Sequence, residues 1–164
     1  MLGAAFGMRV LAYDPLSEPP ADVRCGGLGD LAARSDVITL HLPLNDQTRH
    51  LVGDAFLAQG KPGAILVNCG RGGLADTDAV WRALTSGRLS GVGLDVFDPE
   101  PPAPHPLFSH PDVVLTPHLM GLSRATAATF AAAAQGVLDV LGGREPQAVA
   151  DPAWRTRAPK EITA

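Results

Sequence analysis

Ala64-Ile-Leu-Val67 runs directly into Asn68-Cys-Gly-Arg71-Gly-Gly73, and the segment Asp76 to Ser86 then leads to Val92-Gly-Leu-Asp-Val96. An apolar run, a glycine-rich turn, an amphipathic stretch and a second apolar run are the parts of one strand–helix–strand unit. The spacing predicts a helix over Asp76–Ser86. Asp76 is suited to cap it, Ala79, Val80, Ala83 and Leu84 form the apolar stripe, and Gly87 closes the end. Working outward, Val37-Ile-Thr-Leu-His-Leu42 stops at Pro43, and Val113-Val-Leu-Thr116 stops at Pro117. Proline cannot continue a strand's hydrogen-bond ladder. Met8-Arg-Val-Leu-Ala-Tyr13 reads as a further strand, closed by the turn Asp14-Pro15. Shorter helices are expected at Leu28–Arg34 and Asp54–Gln59, and the longest at Ser123–Leu141, with Ser123 as cap and Gly142-Gly143 as stop. The strand runs are near-continuous rather than alternating, which predicts a parallel sheet covered on both faces. The fold class expected is a doubly wound parallel α/β sheet.

Composition narrows the function. The 164 residues are 46% hydrophobic and 18% charged, with a net charge of −4. This is enough for a single core and too apolar for disorder. The cations are scattered singly, so no basic face awaits nucleic acid or an anionic membrane. No apolar stretch reaches the roughly 20 residues of a membrane span. The apolar N-terminus has no charged segment ahead of it, which argues against a signal peptide. Two cysteines, Cys25 and Cys69, are too few for a disulfide scaffold. These features predict a soluble, cytoplasmic domain, and no metal site is expected.

In such sheets ligands bind at the carboxyl ends of the strands. Four polar positions fall there. Asp14 could hydrogen-bond the ribose hydroxyls of a dinucleotide and disfavour a 2′-phosphate, or could simply form its turn. Arg71, in a glycine-rich turn, could grip a carboxylate through two parallel hydrogen bonds. Asp95 lies inside an apolar run, where an ionised group needs partners. Glu100 is flanked by prolines, and His118 carries the side chain best suited to exchange a proton near neutrality. His41, His50, His105 and His110 read as ordinary structural histidines, and Cys69 as a small apolar residue. Arg71, Glu100 and His118 at the ends of successive strands would face one crevice. Together they form a set able to hold and protonate a 2-oxo acid.

The stretches Val10-Leu-Ala-Tyr-Asp14-Pro, His41-Leu-Pro-Leu-Asn-Asp-Gln-Thr48-Arg, Asn68-Cys-Gly-Arg71-Gly-Gly, Gly93-Leu-Asp-Val-Phe-Asp-Pro-Glu100-Pro and Leu115-Thr-Pro-His118 occur in that order. In sequence and spacing the chain from about Phe6 to Val149 resembles the Rossmann-like nucleotide-binding domain of the D-isomer-specific 2-hydroxyacid dehydrogenases. The resemblance implies an NAD-dependent oxidoreductase that reduces a 2-oxo acid with NADH. It casts Arg71 as the substrate-carboxylate ligand, His118 as proton donor and Glu100 as its partner. It also implies that Asp95 contacts the nicotinamide carboxamide and Asp14 the adenosine ribose. Pro43, Thr48 and the Cys69-Gly70 backbone would line the cofactor groove. The implied partners are a small 2-oxo or 2-hydroxy acid and a second copy of the chain, with neither nucleic acid nor membrane involved.

The family's Gly-x-Gly-x-x-Gly fingerprint should lie about 20 residues before the ribose acid, yet only 13 residues precede Asp14. The expectation is therefore a chain lacking the first strand and its Gly-rich turn. Residues 1–143 would form a partial NAD-binding domain and 144–164 a C-terminal extension, with no substrate-binding domain. Such a chain is expected to bind NADH weakly and turn over little. Two further readings stay open: a non-catalytic NAD(H)-sensing or protein-binding module, and an inactive gene remnant.

Overall fold

The computed structural model describes residues 2–15, 17–118 and 124–147. By its contacts the chain divides into two compact units, residues 1–118 and 119–164. The first holds a four-stranded, all-parallel sheet in the order β1 (Val37–Leu40), β2 (Ala64–Asn68), β3 (Leu89–Leu94), β4 (Val113–Leu115). Helices α1 (Leu2–Ala5), α2 (Leu28–Arg34), α3 (Asp54–Gln59) and α4 (Thr77–Thr85) belong to this unit, and α5 (Arg124–Leu141) to the second. The strand–helix–strand unit expected around the glycine turn is β2–α4–β3. The Asp76 carboxylate caps α4 by accepting from the Asp78 and Ala79 amides. Ala79, Val80, Ala83 and Leu84 are buried, and Gly87 closes the helix at φ 76°. The expected cap Ser123 lies outside the described residues.

One face of the sheet carries the core. Ile38, Leu40, Ala64, Leu66, Leu89, Val92 and Leu94 point toward Phe56, Leu57, Leu74, Val80, Leu84 and Leu107. The other face differs from expectation. Within residues 2–118 it presents Val37, Ile65 and Val114, which are 47%, 40% and 69% exposed. The continuous apolar runs are real, but only one of their two faces is covered within this unit.

The expected strand Met8–Tyr13 does not form. It makes one isolated parallel bridge, Ala12 with Arg24. Ala12 N–H donates to the Val23 carbonyl at 2.6 Å and Cys25 N–H to the Ala12 carbonyl at 3.2 Å. The reason is the lack of a second neighbour. A cleft of about 430 Å³, lined by Leu11–Asp14 on one side and Ile38–Leu42 on the other, separates this segment from β1. A strand with so little ladder keeps its apolar residues wet, and Met8 and Val10 are exposed.

Candidate active site

Register puts the chemistry in one row. Asn68 of β2 pairs with Leu94 of β3, and Leu94 with Leu115 of β4. Beyond the strand ends the lacing continues: Asp95 N–H donates to the Asn68 carbonyl at 3.0 Å and Thr116 N–H to the Leu94 carbonyl at 2.9 Å. Adjacent strands lie about 4.8 Å apart. The loops bearing Arg71, Glu100 and His118 therefore leave the same edge of the sheet, side by side.

Asn68 is 1% exposed and shapes the first loop. Its Nδ2 donates to the Arg71 carbonyl at 3.0 Å, and its Oδ1 accepts from the Gly70 amide at 3.1 Å. The Gly70 N–H, expected to line a cofactor groove, is thus committed to Asn68. Arg71 is exposed, with Nη1 donating to the Gly70 carbonyl at 2.8 Å. Cys69 beside it is exposed and is a free thiol.

Glu100 and His118 meet. The His118 Nδ1 lies 3.1 Å from Glu100 Oε2, while Glu100 Oε1 accepts the Phe97 amide at 2.9 Å. The Phe97 N–H, first, and His118, second, hold the Glu100 carboxyl below its ordinary value, and the Arg71 charge acts in the same direction. Both side chains stay open to a ligand, 44% exposed for His118 and 40% for Glu100. His118 has φ 54°. That left-handed conformation, which His50 shares at φ 52°, costs a non-glycine residue roughly 1–2 kcal/mol. Asp95, half-buried, accepts the Thr116 hydroxyl at 2.5 Å.

The remaining expected site residues lie along the same edge. Asp14 is exposed and lines the cleft beside β1 together with Tyr13, His41 and Leu42. Pro43 follows β1 and is exposed. Thr48 is buried, and its hydroxyl serves its own turn by donating to the Pro43 carbonyl at 2.7 Å and accepting the Asn45 amide at 2.9 Å. The other histidines behave as ordinary structural groups. His105 accepts the Leu107 amide and contacts Asp78, and His110 accepts the Asp112 amide. His41 pairs with the Thr39 hydroxyl. His50 N–H donates to the Gly73 carbonyl. Met120 and Leu122, next to His118, lie outside the described residues. Among the described residues no group of three or more His, Cys, Asp or Glu could hold a metal. No described helix is long and apolar enough to cross a membrane.

Sequence reasoning gave no role to Asn68, Arg49, Asp98 or Thr116, although each lay inside a quoted motif. The available signal was Asn68, a polar residue ending an apolar run and so in need of partners once buried.

Residues 1–120 match the family profile described as D-isomer specific 2-hydroxyacid dehydrogenase, NAD binding domain. The chain belongs to this family. It is 40% identical over 151 residues to the glyoxylate reductase of Aeropyrum pernix, covering 88% of this chain and 45% of that one. It is 47% identical over 128 residues to a D-3-phosphoglycerate dehydrogenase of Mycobacterium bovis, covering 76% of this chain and 24% of that one. Among solved structures, the holo D-mandelate dehydrogenase of Rhodotorula graminis superposes with a TM-score of 0.79 at 31% identity, over 91% of this chain and 46% of that one. The chain thus spans less than half the length of these relatives. The matched domain is the family's NAD-binding domain. Asp14 lines the cleft beside β1, and Asp95 is a half-buried carboxylate at the end of β3.

Proposed function

We propose that this chain carries the cofactor and proton-transfer side of a D-2-hydroxyacid dehydrogenase site, which reduces a small 2-oxo acid to the 2-hydroxy acid. The observation that carries the reading is the Glu100–His118 contact in one row with Arg71. NADH, when bound, would supply the hydride to the substrate's carbonyl carbon. The charge that develops on the carbonyl oxygen needs a proton as it forms. With Nδ1 turned to Glu100, the imidazolium of His118 gives that proton from Nε2. Glu100 is held ionised by the Phe97 amide and so stabilises the charged imidazole before transfer. Arg71 takes the substrate carboxylate. A guanidinium has five N–H donors in a planar fork, so the bond to the Gly70 carbonyl leaves donors for a bidentate grip.

Asp14 would hold the ribose hydroxyls and favour NADH over NADPH, and Asp95, fixed by Thr116, the carboxamide. Pro43, Thr48 and the Cys69–Gly70 segment form the wall between them. The proposed assembly is a homodimer and the proposed compartment the cytoplasm.

The test uses oxalate, a planar dicarboxylate that mimics a 2-oxo acid, followed by NMR, alongside NADH consumption with glyoxylate, hydroxypyruvate and pyruvate. Oxalate should shift the Arg71 and His118 side-chain resonances, and Arg71→Ala should abolish that response. Any turnover should vanish in His118→Ala. Oxalate binding that ignores Arg71→Ala, or turnover that survives His118→Ala, overturns the assignment.

A further inference from the structure

The glycines after Arg71 receive protein rather than ligand. A Cβ placed on Gly72 would lie 1.9 Å from the Phe97 carbonyl carbon, 2.0 Å from its oxygen and 2.6 Å from the Asp98 nitrogen. The Phe97–Asp98 peptide therefore rests directly on the Gly72 α-carbon, a seat that no L side chain permits. One residue on, a Cβ on Gly73 would fall 2.7 Å from Asp98 Oδ2 and 3.1 Å from Arg49 Nη1. Those two groups form an ion pair of 2.9 Å, which passes over Gly73.

Arg49 is itself anchored to the glycine loop through its neighbours. His50 N–H donates to the Gly73 carbonyl at 2.8 Å and Val52 N–H to the Leu74 carbonyl at 3.0 Å. Asp98 belongs instead to the loop after β3, adjoining the Phe97 amide that holds Glu100. The pair thus ties the loop of Arg71 to the loop of Glu100.

We propose that Arg49 is a positioning residue whose ion pair with Asp98 keeps the Phe97–Asp98 peptide seated on Gly72, so that the Phe97 amide holds Glu100 toward His118. The proposal deepens the reading of Glu100 and His118 as the proton-handling pair and rests on it for its functional meaning. Both partners of the clasp are substantially exposed, Arg49 at 51% and Asp98 at 42%. Exposed pairs add little to stability, so the effect falls on placement. A second anchor opposes its loss: the Phe97 ring packs edge-on against Phe108, with centroids 5.5 Å apart.

The experiment follows the Glu100 side-chain carboxyl by carbon NMR through a pH titration of the 164-residue chain. Asp98→Ala gives the decisive sign. If Asp98 acted only as a nearby negative charge, removing it would lower the Glu100 titration. If it seats the Phe97 amide, removing it raises the titration toward the ordinary carboxylate range, because that amide is the largest cause of the depression. Arg49→Gln should raise it too, Arg49→Lys should restore part of the shift, and the double variant should move no further than Asp98→Ala alone. Arg82→Gln breaks a comparable exposed pair with Asp54 and should leave Glu100 unmoved. A titration that falls or stays fixed in Asp98→Ala, or one that Arg82→Gln shifts equally, overturns the proposal. An Asp98→Ala chain that no longer folds also overturns it, since a positioning pair this exposed cannot hold the fold together. Should the titration rise as expected while turnover survives His118→Ala, the clasp stands and the assigned reaction falls.

Discussion

Replacing Asn68 with Ala tests whether the loop of Arg71 is held from inside the protein. The side chain is 1% exposed and makes two hydrogen bonds to its own loop, one to the Arg71 carbonyl and one from the Gly70 amide. Truncation strands the Gly70 amide, while the Arg71 carbonyl keeps the Leu74 N–H at 3.1 Å. A buried polar group left unpaired costs about 1–3 kcal/mol before any relief. Relief is available. A cavity of about 20 Å³ already adjoins Asn68, Gly72 and Leu107, and a water needs about 10–15 Å³ with at least two polar partners. The space vacated by the amide, added to that cavity, would admit one water to face Gly70 N–H and the Arg71 carbonyl. The expected loss is therefore at the lower end, about 1 kcal/mol. That is a measurable share of a stability of about 5–15 kcal/mol. Urea unfolding followed by circular dichroism reads it as a lower midpoint at unchanged slope. Asn68→Asp should be worse at neutral pH, because a buried carboxylate would oppose the Arg71 carbonyl, and should improve on acidification as the neutral acid regains a donor. A loss under about 0.5 kcal/mol for Asn68→Ala, within the scatter of surface changes, would refute the view that these bonds shape the loop.

Thr48→Val keeps the shape but removes a hydroxyl that donates to the Pro43 carbonyl and accepts the Asn45 amide. The expected cost is about 1–2 kcal/mol in urea unfolding, since the exposed Asn45 can turn to water. Acid should weaken the fold through four carboxylates held below their ordinary values: Asp30 chiefly by the Gly26 amide, Asp54 by Arg82, Glu100 by the Phe97 amide and Asp139 by Gln135. A folded value below the unfolded one gives stability that is complete above the unfolded range and lost as pH falls through the folded values. The urea midpoint should thus hold from neutrality down to about pH 5 and decline below about pH 4. A midpoint that rises on acidification contradicts the sign.

The strands that could be read from sequence were those bearing a full neighbour on at least one side. Val37–Leu40, Ala64–Asn68 and Val113–Leu115 lie where apolar runs meet proline or glycine, and the local signal coincides with the tertiary one. Leu89–Leu94 begins earlier than the expected Val92, because Leu89 is drawn into the core opposite Ala64. Met8–Tyr13 carries the same local signal and fails as a strand. Strand propensity reflects packing against neighbours rather than a backbone preference, and here one flank is the cleft beside β1. Burial of one sheet face but not the other was equally invisible in runs such as Val113-Val-Leu, where apolar residues occupy both sides. That Arg71, Glu100 and His118 share one edge was legible because strand ends in a parallel sheet do so. Their separation was fixed by register, which spacing in the chain does not reveal.

Glycine permits close approach, and the glycine-rich turn beside Arg71 makes use of it. Here the three glycines around Arg71 face the chain itself. Gly70 lies under the Leu40 and Leu42 carbonyls, Gly72 under the Phe97–Asp98 peptide, and Gly73 under Asp98, Leu44 and Arg49. Loops after β1, β2 and β3 are thereby stacked backbone on backbone, with Arg71 the one bulky side chain left to project from the middle loop. An arginine on a floppy glycine turn would lose orientation entropy on binding a carboxylate. One whose flanking α-carbons are each covered by a neighbouring loop has that ordering built in before the ligand arrives. The same stacking brings Phe97 close enough for its amide to donate to Glu100 and hold that carboxyl below its ordinary value. The loop of Arg71 and the loop of Glu100 therefore meet through backbone contacts at Gly72. An alanine there should disturb Arg71 and Glu100 together rather than either alone.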